Sequence, residues 1–295
     1  MHTENFGWLP QIASFGGSLF KIDPLFSRPS EFDYITNSVR TKNDWFYPPL
    51  EPEYWSAGTN SQPLLYAEWF ALPATHCLTF LHDEDDPVRL AALCAEVLGA
   101  IKGLQLLLEG WGHFYRTPVK PNLLGDIQTV KPAAVSRILD LAIEFWRANQ
   151  SARKNVYGAV HWHIVGPSYQ HSFETFSAAY SVLDACWAVH SQLGRARSAR
   201  VPHAERLPIM CSFYDLQVPR WAVVSAGKSR LSELRNDYLH ESLWAGEPIG
   251  FSNPRDVPSI DLELFCFNTR LILAILGERS SYTRSEITLQ SFALE

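Results

Sequence analysis

The chain has 295 residues, of which 46% are hydrophobic and 19% are charged, and its formal net charge is -6. This composition supports a packed core and excludes an intrinsically disordered chain. The negative charge argues against a protein that coats long nucleic acid, and the five scattered cysteines, which never form C-x-x-C, argue against a disulfide framework or a structural zinc site.

The beginning of the sequence, MHTENFGWLP, has neither a basic start nor a long apolar run, so we expect no signal peptide. No stretch approaches the roughly 20 apolar residues that are needed to span a bilayer. We therefore expect a cytoplasmic protein that has no membrane partner.

Residues 1–64 are rich in Pro, Gly, Ser, Asn and aromatic side chains, and they lack helical periodicity. Such a composition predicts short strands and ordered loops. The segments LLYAEWFAL (64–72) and CLTFL (77–81) have the pattern of strands. We expect residues 1–125 to form a mixed region of short strands, and the sequence does not indicate its role.

One amphipathic helix is predicted inside this region. Asp86 is suited to be its N-cap, Pro87 to be its first helical residue, and Gly110 to stop it. The acidic residues 83–86 then form a charged helix start, which the helix dipole favours.

Residues 126–295 are predicted to be helical throughout, because their apolar residues recur at helical spacing. The clearest helical segments are 131–150, 169–190 and 260–280, the last of which ends at Gly277. A further helix that is broken near Gly227 precedes the last segment, and residues 193–219 are expected to form a loop. The predicted fold class is therefore α+β, with the mixed N-terminal region followed by an all-helical bundle of four to five helices.

The segment ELRNDYLHES (233–242) contains the chain's single R-x4-H spacing, with an asparagine directly after the arginine. In an α-helix, Arg235 and His240 would lie about 140° apart and roughly 7.5 Å apart along the axis. They would meet on one phosphate only if it lay in a groove beside the helix, which a two-fold dimer would help to form. Asn236 and His240 share a helix face.

These residue types suit RNA cleavage without a metal or another cofactor. The 2′-hydroxyl of RNA can attack its own adjacent phosphate, and a histidine can move the proton in either direction. Arg235 can hold the phosphate oxygens and offset the growing charge, while Asn236 orients the histidine or the phosphate. A structural hydrogen-bond network is the alternative for the same three residues.

The segment ELRNDYLHE resembles the R-polar-x3-H signature of HEPN domains, which are helical bundles found in many prokaryotic toxins and abortive-infection proteins. Residues 142–187 are similar to the early helices of the Apea-like branch, and the resemblance covers roughly residues 130–280. It implies a metal-independent endoribonuclease that acts on single-stranded RNA as a homodimer, with Arg235 and His240 as the active pair and Asn236 supporting them.

The resemblance also implies a role in phage defence or in a toxin system, with a defence or antitoxin protein as a possible partner. One toxin branch has a modified tyrosine two residues after the histidine, whereas this chain has Ser242, so that regulation is not expected here. Two alternatives remain open. One is a non-catalytic nucleotide- or RNA-binding module that dimerises through the same helices, and the other is an interaction protein of a defence complex.

Five further residues are candidate RNA contacts, and they lie in two segments. His161 and His163 alternate in VHWHI, where a strand would present both to a metal, but no cysteine or carboxylate completes a ligand set. A core or surface role is the alternative to lining the groove. Arg195, Arg197 and Arg200 form a basic cluster that could guide phosphates, and a solvated mobile loop is the alternative.

Overall fold

The computed structural model describes residues 1–10, 13–25, 29–48, 70–113, 115–195, 200–244, 246–249, 260–287 and 292–294. The chain is of mixed α and β structure, which confirms the predicted class. It divides into two compact units, one of residues 1–144 with 293–295 and the other of residues 145–292. This division falls inside a long helix, later than the boundary after residue 125 that we predict from the sequence.

Short strands dominate the first unit, as the sequence predicts. They are β1 (Thr3–Gly7), β2 (Phe15–Gly16), β3 (Phe20–Pro24), β4 (Thr41–Lys42), β5 (Trp45–Phe46), β6 (His76–Phe80), β7 (Leu107–Leu108), β8 (Thr117–Pro118) and β9 (Ile127–Val130). Five of them form an antiparallel sheet in the order β2-β3-β6-β1-β7, and β4, β5 and β8 form a second sheet.

Alternate residues of the central strands enter the core. Phe20 and Ile22 of β3 lie opposite Phe80 and Leu78 of β6, and all four side chains are buried. This alternation is what a strand with one buried face requires, and it confirms the strand predicted at residues 77–81. Residues 64–69 of the other predicted strand lie outside the described residues.

Among the residues that the structure describes, two helices lie wholly within the first unit, α1 (Pro29–Thr36) and α2 (Pro87–Lys102). The first was not predicted. The second begins as predicted, with Asp86 at the N-cap position, but it stops at Gly103 and not at Gly110. Gly103 adopts a left-handed conformation with φ 65°, and the next amide donates to the carbonyl of Gly99. This geometry closes a helix, so the leucines that follow lead into β7.

A long helix, α3 (Pro132–Ala148), runs across the division between the units, and the predicted helix at 131–150 is thus confirmed. The second unit then continues with α4 (Arg153–Val165), α5 (Ser172–Gln192), α6 (His203–Tyr214), α7 (Arg230–Asn236), β10 (Leu243–Trp244), β11 (Glu247–Pro248), α8 (Ile260–Leu276) and α9 (Ser281–Arg284). A last strand, β12 (Phe292–Leu294), pairs with β9. The prediction that residues 126–295 are helical throughout is therefore wrong for β9 to β12, which are short strands between or beyond the helices.

Helices α5 and α8 form the centre of the second unit, because each packs against the other, against α4 and against α6. The predicted helices at 169–190 and 260–280 correspond to them, and α8 ends before Gly277 as expected. The break near Gly227 is also confirmed, since α7 begins only at Arg230.

The loop predicted at residues 193–219 is wrong at residues 203–214, which form α6. Pro208 lies inside this helix, and proline in a helix interior normally disfavours helical structure. The helix is held by its buried face instead. The buried residues of α6 are Ala204, Leu207, Met210, Cys211 and Tyr214.

Candidate active site

The candidate signature begins on α7, whose start is well defined. Ser229 is the N-cap, and its hydroxyl accepts from the amide of Ser232 at 3.2 Å. In return, the Ser229 amide donates to the Ser232 hydroxyl at 2.9 Å, so two orphan amides are satisfied. Leu231 and Leu234 are buried and fix the helix to the core. The outward residues of this short helix therefore have defined positions.

After Asn236 the backbone widens into a π-turn, which spans Asp237–Glu241. The amide of Ser242 donates to the carbonyl of Asp237, five residues earlier. A turn that is closed over five residues brings residue i+5 back above residue i, which a regular α-helix does not do. The expectation that Arg235 and His240 are separated around an α-helix is therefore wrong for this segment.

The end of the π-turn is anchored in the core. Ser242 takes a left-handed conformation, with φ 56° and ψ 34°, and its carbonyl accepts from the amide of Ile249 at 3.1 Å. The chain then enters the β10–β11 hairpin, whose Trp244 is fully buried. The Trp244 ring lies 5.0 Å from the ring of Phe176 on α5. These contacts fix the C-terminal side of the turn that carries His240, and the buried face of α7 fixes its N-terminal side.

Arg235 and His240 meet directly within one chain. Nη1 of Arg235 lies 3.1 Å from Nε2 of His240 and donates to Oδ1 of Asn236 at 3.0 Å. Because a guanidinium is always a donor, Nε2 of His240 is the acceptor, and the ring proton of a neutral imidazole is then on Nδ1. Arg235 is half-buried, whereas Asn236 and His240 are exposed. All three predicted catalytic residues therefore lie together.

Tyr180 of α5 lies on the inner side of Arg235. The guanidinium carbon of Arg235 is 6.0 Å from the centre of the Tyr180 ring, at the limit of a cation–π contact. The Nε atom of Arg235 is shielded from solvent and has no hydrogen-bond partner among the described residues. Burial and the charge of Asp184 raise the pKa of Tyr180 to about 12, so its hydroxyl keeps its proton at neutral pH.

A second histidine lies directly beyond Tyr180. The hydroxyl of Tyr180 is 3.0 Å from Nδ1 of His203, at the start of α6, and Oδ1 of Asp184 is 3.6 Å from the same nitrogen. Nη1 of Arg206 donates to Oδ1 of Asp184 at 2.9 Å. Burial, with the charges of Arg206 and Arg235, lowers the pKa of His203, and Asp184 opposes this effect. Together these effects favour the neutral form of His203.

The order of contacts from His240 through Arg235 and Tyr180 to His203 was not predicted from the sequence. The sequence predicts only that Tyr180 lies in the helical segment 169–190 and that His203 lies in the loop at 193–219. The spacing of four between Tyr180 and Asp184, and of three between His203 and Arg206, places each pair on one helix face. This spacing was the signal in the sequence from which the two pairs could be found. It could be used for His203 and Arg206 only if residues 203–214 had been predicted to be helical.

The basic cluster at 195–200 is only partly described. Arg195 is half-buried and stacks on two rings, 4.8 Å from Phe213 and 5.6 Å from Tyr214, and it also donates to the Tyr214 hydroxyl at 3.0 Å. These contacts give Arg195 a structural role. Arg200 is exposed, whereas the predicted contact Arg197 lies outside the described residues.

The two other histidine candidates lie on α4, which is a helix and not a strand. His161 is half-buried and stacks on Tyr157, with the ring centres 6.0 Å apart. His163 is buried, with Nε2 3.0 Å from the Thr269 hydroxyl and its ring stacked 4.2 Å from Phe265. Burial lowers the pKa of His163 to about 3. His163 is thus a core residue, which is the alternative role that the sequence left open for it.

Among the described residues, no three His, Cys, Asp or Glu side chains are grouped so that they could hold a metal ion. In the same part of the chain, no helix combines the length and the apolar character that crossing a membrane requires. The fold and the site thus define a mixed α and β protein in which an arginine at the end of α7 contacts a histidine on the π-turn that follows. The chain matches no known protein family, no curated protein and no solved structure.

Proposed function

We propose that this chain is a metal-independent endoribonuclease of the HEPN type, in which Arg235 holds the scissile phosphate and His240 transfers a proton. The observation that carries the proposal is the 3.1 Å contact between Nη1 of the half-buried Arg235 and Nε2 of His240, which is exposed on the turn. A cation and a proton-transfer group at this distance can act on the same phosphate.

The reaction needs no group from outside the protein and its substrate. The 2′-oxygen of the RNA forms a bond to the adjacent phosphorus, and the bond from phosphorus to the 5′-oxygen breaks. The products are a 2′,3′-cyclic phosphate and a free 5′-hydroxyl. Arg235 binds the phosphate oxygens and offsets the charge of the transition state, and Asn236 holds the guanidinium in place by accepting from Nη1.

The biological role that fits this reaction is that of a cytoplasmic effector in phage defence or in a toxin system. Single-stranded RNA is the substrate class, since its bases and phosphates are accessible to an exposed turn. We also propose that the chain forms a homodimer through its second unit and that a defence or antitoxin protein controls it.

The test is cleavage of a short single-stranded RNA by the purified chain in the presence of EDTA. His240→Ala and Arg235→Lys are each expected to lower the rate by about 100-fold or more, because proton transfer and charge stabilisation each contribute on that scale. His82→Ala and Arg89→Lys are matched controls at exposed positions. The proposal would be contradicted by a wild-type protein that leaves RNA intact. It would also be contradicted if the cleavage rates of the control variants fell as far as those of the site variants.

A non-catalytic RNA-binding module is the second candidate. It is favoured by one feature of the free protein, namely that the Nε2 lone pair of His240 already accepts from Arg235. If the two residues remain paired when RNA is bound, they form a phosphate-binding site without a free base. Binding that depends on Arg235 in a gel-shift measurement, with no cleavage of the same RNA, would support this candidate.

A further inference from the structure

His240 contacts Arg235 directly, and a second histidine, His203, contacts the hydroxyl of Tyr180, whose ring lies 6.0 Å from the Arg235 guanidinium. We infer that His203 is the second catalytic group of the same site, so that one protomer carries both the base and the acid of RNA cleavage. This inference rests on the proposed ribonuclease function. It adds a named base, a named acid and a single-protomer site, whereas the sequence favoured a site that a dimer assembles.

The contacts of His203 define which of its nitrogens is available. Nδ1 faces the Tyr180 hydroxyl at 3.0 Å and the Asp184 carboxylate at 3.6 Å. Both neighbours of Nδ1, the Tyr180 oxygen and the Asp184 carboxylate, can take a ring proton or its positive charge, so we assign the ring proton to Nδ1, with the Tyr180 oxygen as its hydrogen-bond acceptor. Nε2 then carries the free lone pair. This is the arrangement in which an acidic residue orients a histidine to act as a base.

The position of His203 fits a role beside the phosphate. Its side chain is 31% exposed, so a ribose hydroxyl can reach it. Tyr180 links it to Arg235, since one Tyr180 ring carries both the hydroxyl that contacts His203 and the face that lies below the guanidinium. The pKa of His203 is lowered by burial first and then by the charge of Arg206, and this direction favours the neutral base.

The reaction step can be written with all protons assigned. Nε2 of His203 takes the proton of the 2′-hydroxyl while the 2′-oxygen forms its bond to phosphorus. The bond from phosphorus to the 5′-oxygen breaks, and the leaving oxygen takes a proton from His240. For that role His240 must be protonated, which is possible once the phosphate has drawn Arg235 away from Nε2. After the step, His203 gives its extra proton to water, and His240 takes a proton from water, so both histidines return to their starting states.

The network around His203 also assigns positioning residues. Asp184 of α5 contacts both the Nδ1 of His203 and the guanidinium of Arg206, and both of these residues lie on α6. The carboxylate therefore holds His203 and Arg206 in place together. Arg206 lies 5.8 Å from the ring of Trp187, which keeps its charge close to the site. Neither residue needs to touch the substrate. Both act by setting the tautomer and the charge of His203.

The test compares pH–rate profiles of RNA cleavage for the wild type, His203→Gln, Asp184→Asn and the control His82→Gln. A base that must be neutral makes the rate fall at acid pH, and His203→Gln should lower the rate at least 100-fold and remove this acid limb. Asp184→Asn should move the limb to lower pH, because the carboxylate opposes the lowering of the His203 pKa. A residue with only a structural role would not move the limb.

Mixing two inactive variants tests whether one protomer suffices. His203→Gln and His240→Ala are co-refolded and assayed together. A site within one chain predicts no recovery, whereas a site shared between protomers predicts recovery of a substantial part of the wild-type rate. Recovery would overturn the single-protomer inference.

Failure of this inference and failure of the proposed function have different signatures. If the wild type cleaves RNA and His240→Ala does not, but His203→Gln keeps the rate and the acid limb, then only the role of His203 is overturned. If His203→Gln does not fold, the Asp184→Asn profile decides, and an unmoved limb overturns the inference. A wild-type protein without cleavage overturns both.

Discussion

Nη1 of Arg235 lies 3.1 Å from Nε2 of His240, although five residues separate them along the chain. A regular α-helix would place them about 140° apart around its axis. The π-turn at Asp237–Glu241 removes this separation, because its backbone bond is closed over five residues. The convergence of the two side chains is thus a property of the local backbone, and it does not need a second protomer.

The anchor of this turn can be tested at Trp244. Trp244→Ala should lower the free energy of unfolding by about 3–5 kcal/mol, because a fully buried ring that packs on Phe176 is lost. RNA cleavage should fall as well, since the strand that fixes the end of the turn is released. Trp162→Ala is the matched control, since Trp162 is 41% exposed. Urea unfolding and cleavage rates check both effects, and equal losses in the two variants would contradict the assigned anchor.

The hydrogen bond from Arg235 to Asn236 predicts a change in activity without a change in stability. Asn236→Ala should alter the free energy of unfolding by less than about 0.5 kcal/mol, because the residue is exposed. Cleavage should fall by about tenfold, since the guanidinium loses the acceptor that holds it. Asn236→Asp keeps an acceptor at the same place and should retain most of the rate. If Asn236→Asp loses the cleavage rate while Asn236→Ala keeps it, the proposed positioning role of Asn236 is contradicted.

The buried His163 predicts a dependence of stability on pH. Burial lowers its pKa to about 3 in the folded protein, whereas the unfolded chain binds the proton near the usual value of 6.5. The unfolded state therefore holds more protons between these values, and stability falls as the pH drops below about 6.5.

The measurement is urea unfolding at several pH values between 4 and 6. The free energy of unfolding of the wild type should fall by about 1.4 kcal/mol for each unit that the pH decreases, as the contribution of this one group. The free energy of unfolding of His163→Gln should fall correspondingly less. His82→Gln, at an exposed histidine, is the control. If the free energy of unfolding changes with pH at the same slope in His163→Gln and in the wild type, His163 is not buried as a neutral ring.

Two glycines test where α2 ends. Gly103 and Gly110 both have positive φ, so alanine at either position strains the backbone by about 1 kcal/mol. A Cβ at Gly103 would also lie 3.0 Å from the Leu124 nitrogen, whereas a Cβ at Gly110 meets nothing within 4 Å. Thermal unfolding should therefore show Gly103→Ala to be clearly the less stable variant. Equal melting temperatures for Gly103→Ala and Gly110→Ala would contradict the conclusion that α2 ends at Gly103.

Much of the second unit could be predicted because its signals are local. The apolar spacing of α5 and α8 follows from the face that each helix buries, and Gly277 ends α8 as expected. The helix α6 was missed because Pro208 opposes it locally, and only tertiary packing of its apolar face overrides that preference.

The candidate site was predictable only in part, for a similar reason. The R-x4-H spacing identified Arg235 and His240, but residue propensities carry no signal for the one extra residue that turns an α-helix into a π-turn. The contact between Tyr180 and His203 joins residues 23 apart in the chain, so it depends on how α5 and α6 pack. Periodicity within one helix cannot predict such a contact.

The central claim is that Arg235 and His240 act on an RNA phosphate attacked by its own 2′-hydroxyl, and the ends of the products test it most directly. A short RNA and the same strand with one 2′-deoxyribose at the main cleavage position are incubated with the wild-type protein in EDTA. We predict a 2′,3′-cyclic phosphate and a 5′-hydroxyl from the RNA, and no cleavage at the deoxy position. A 5′-phosphate product, or equal cleavage of both strands, would contradict the account.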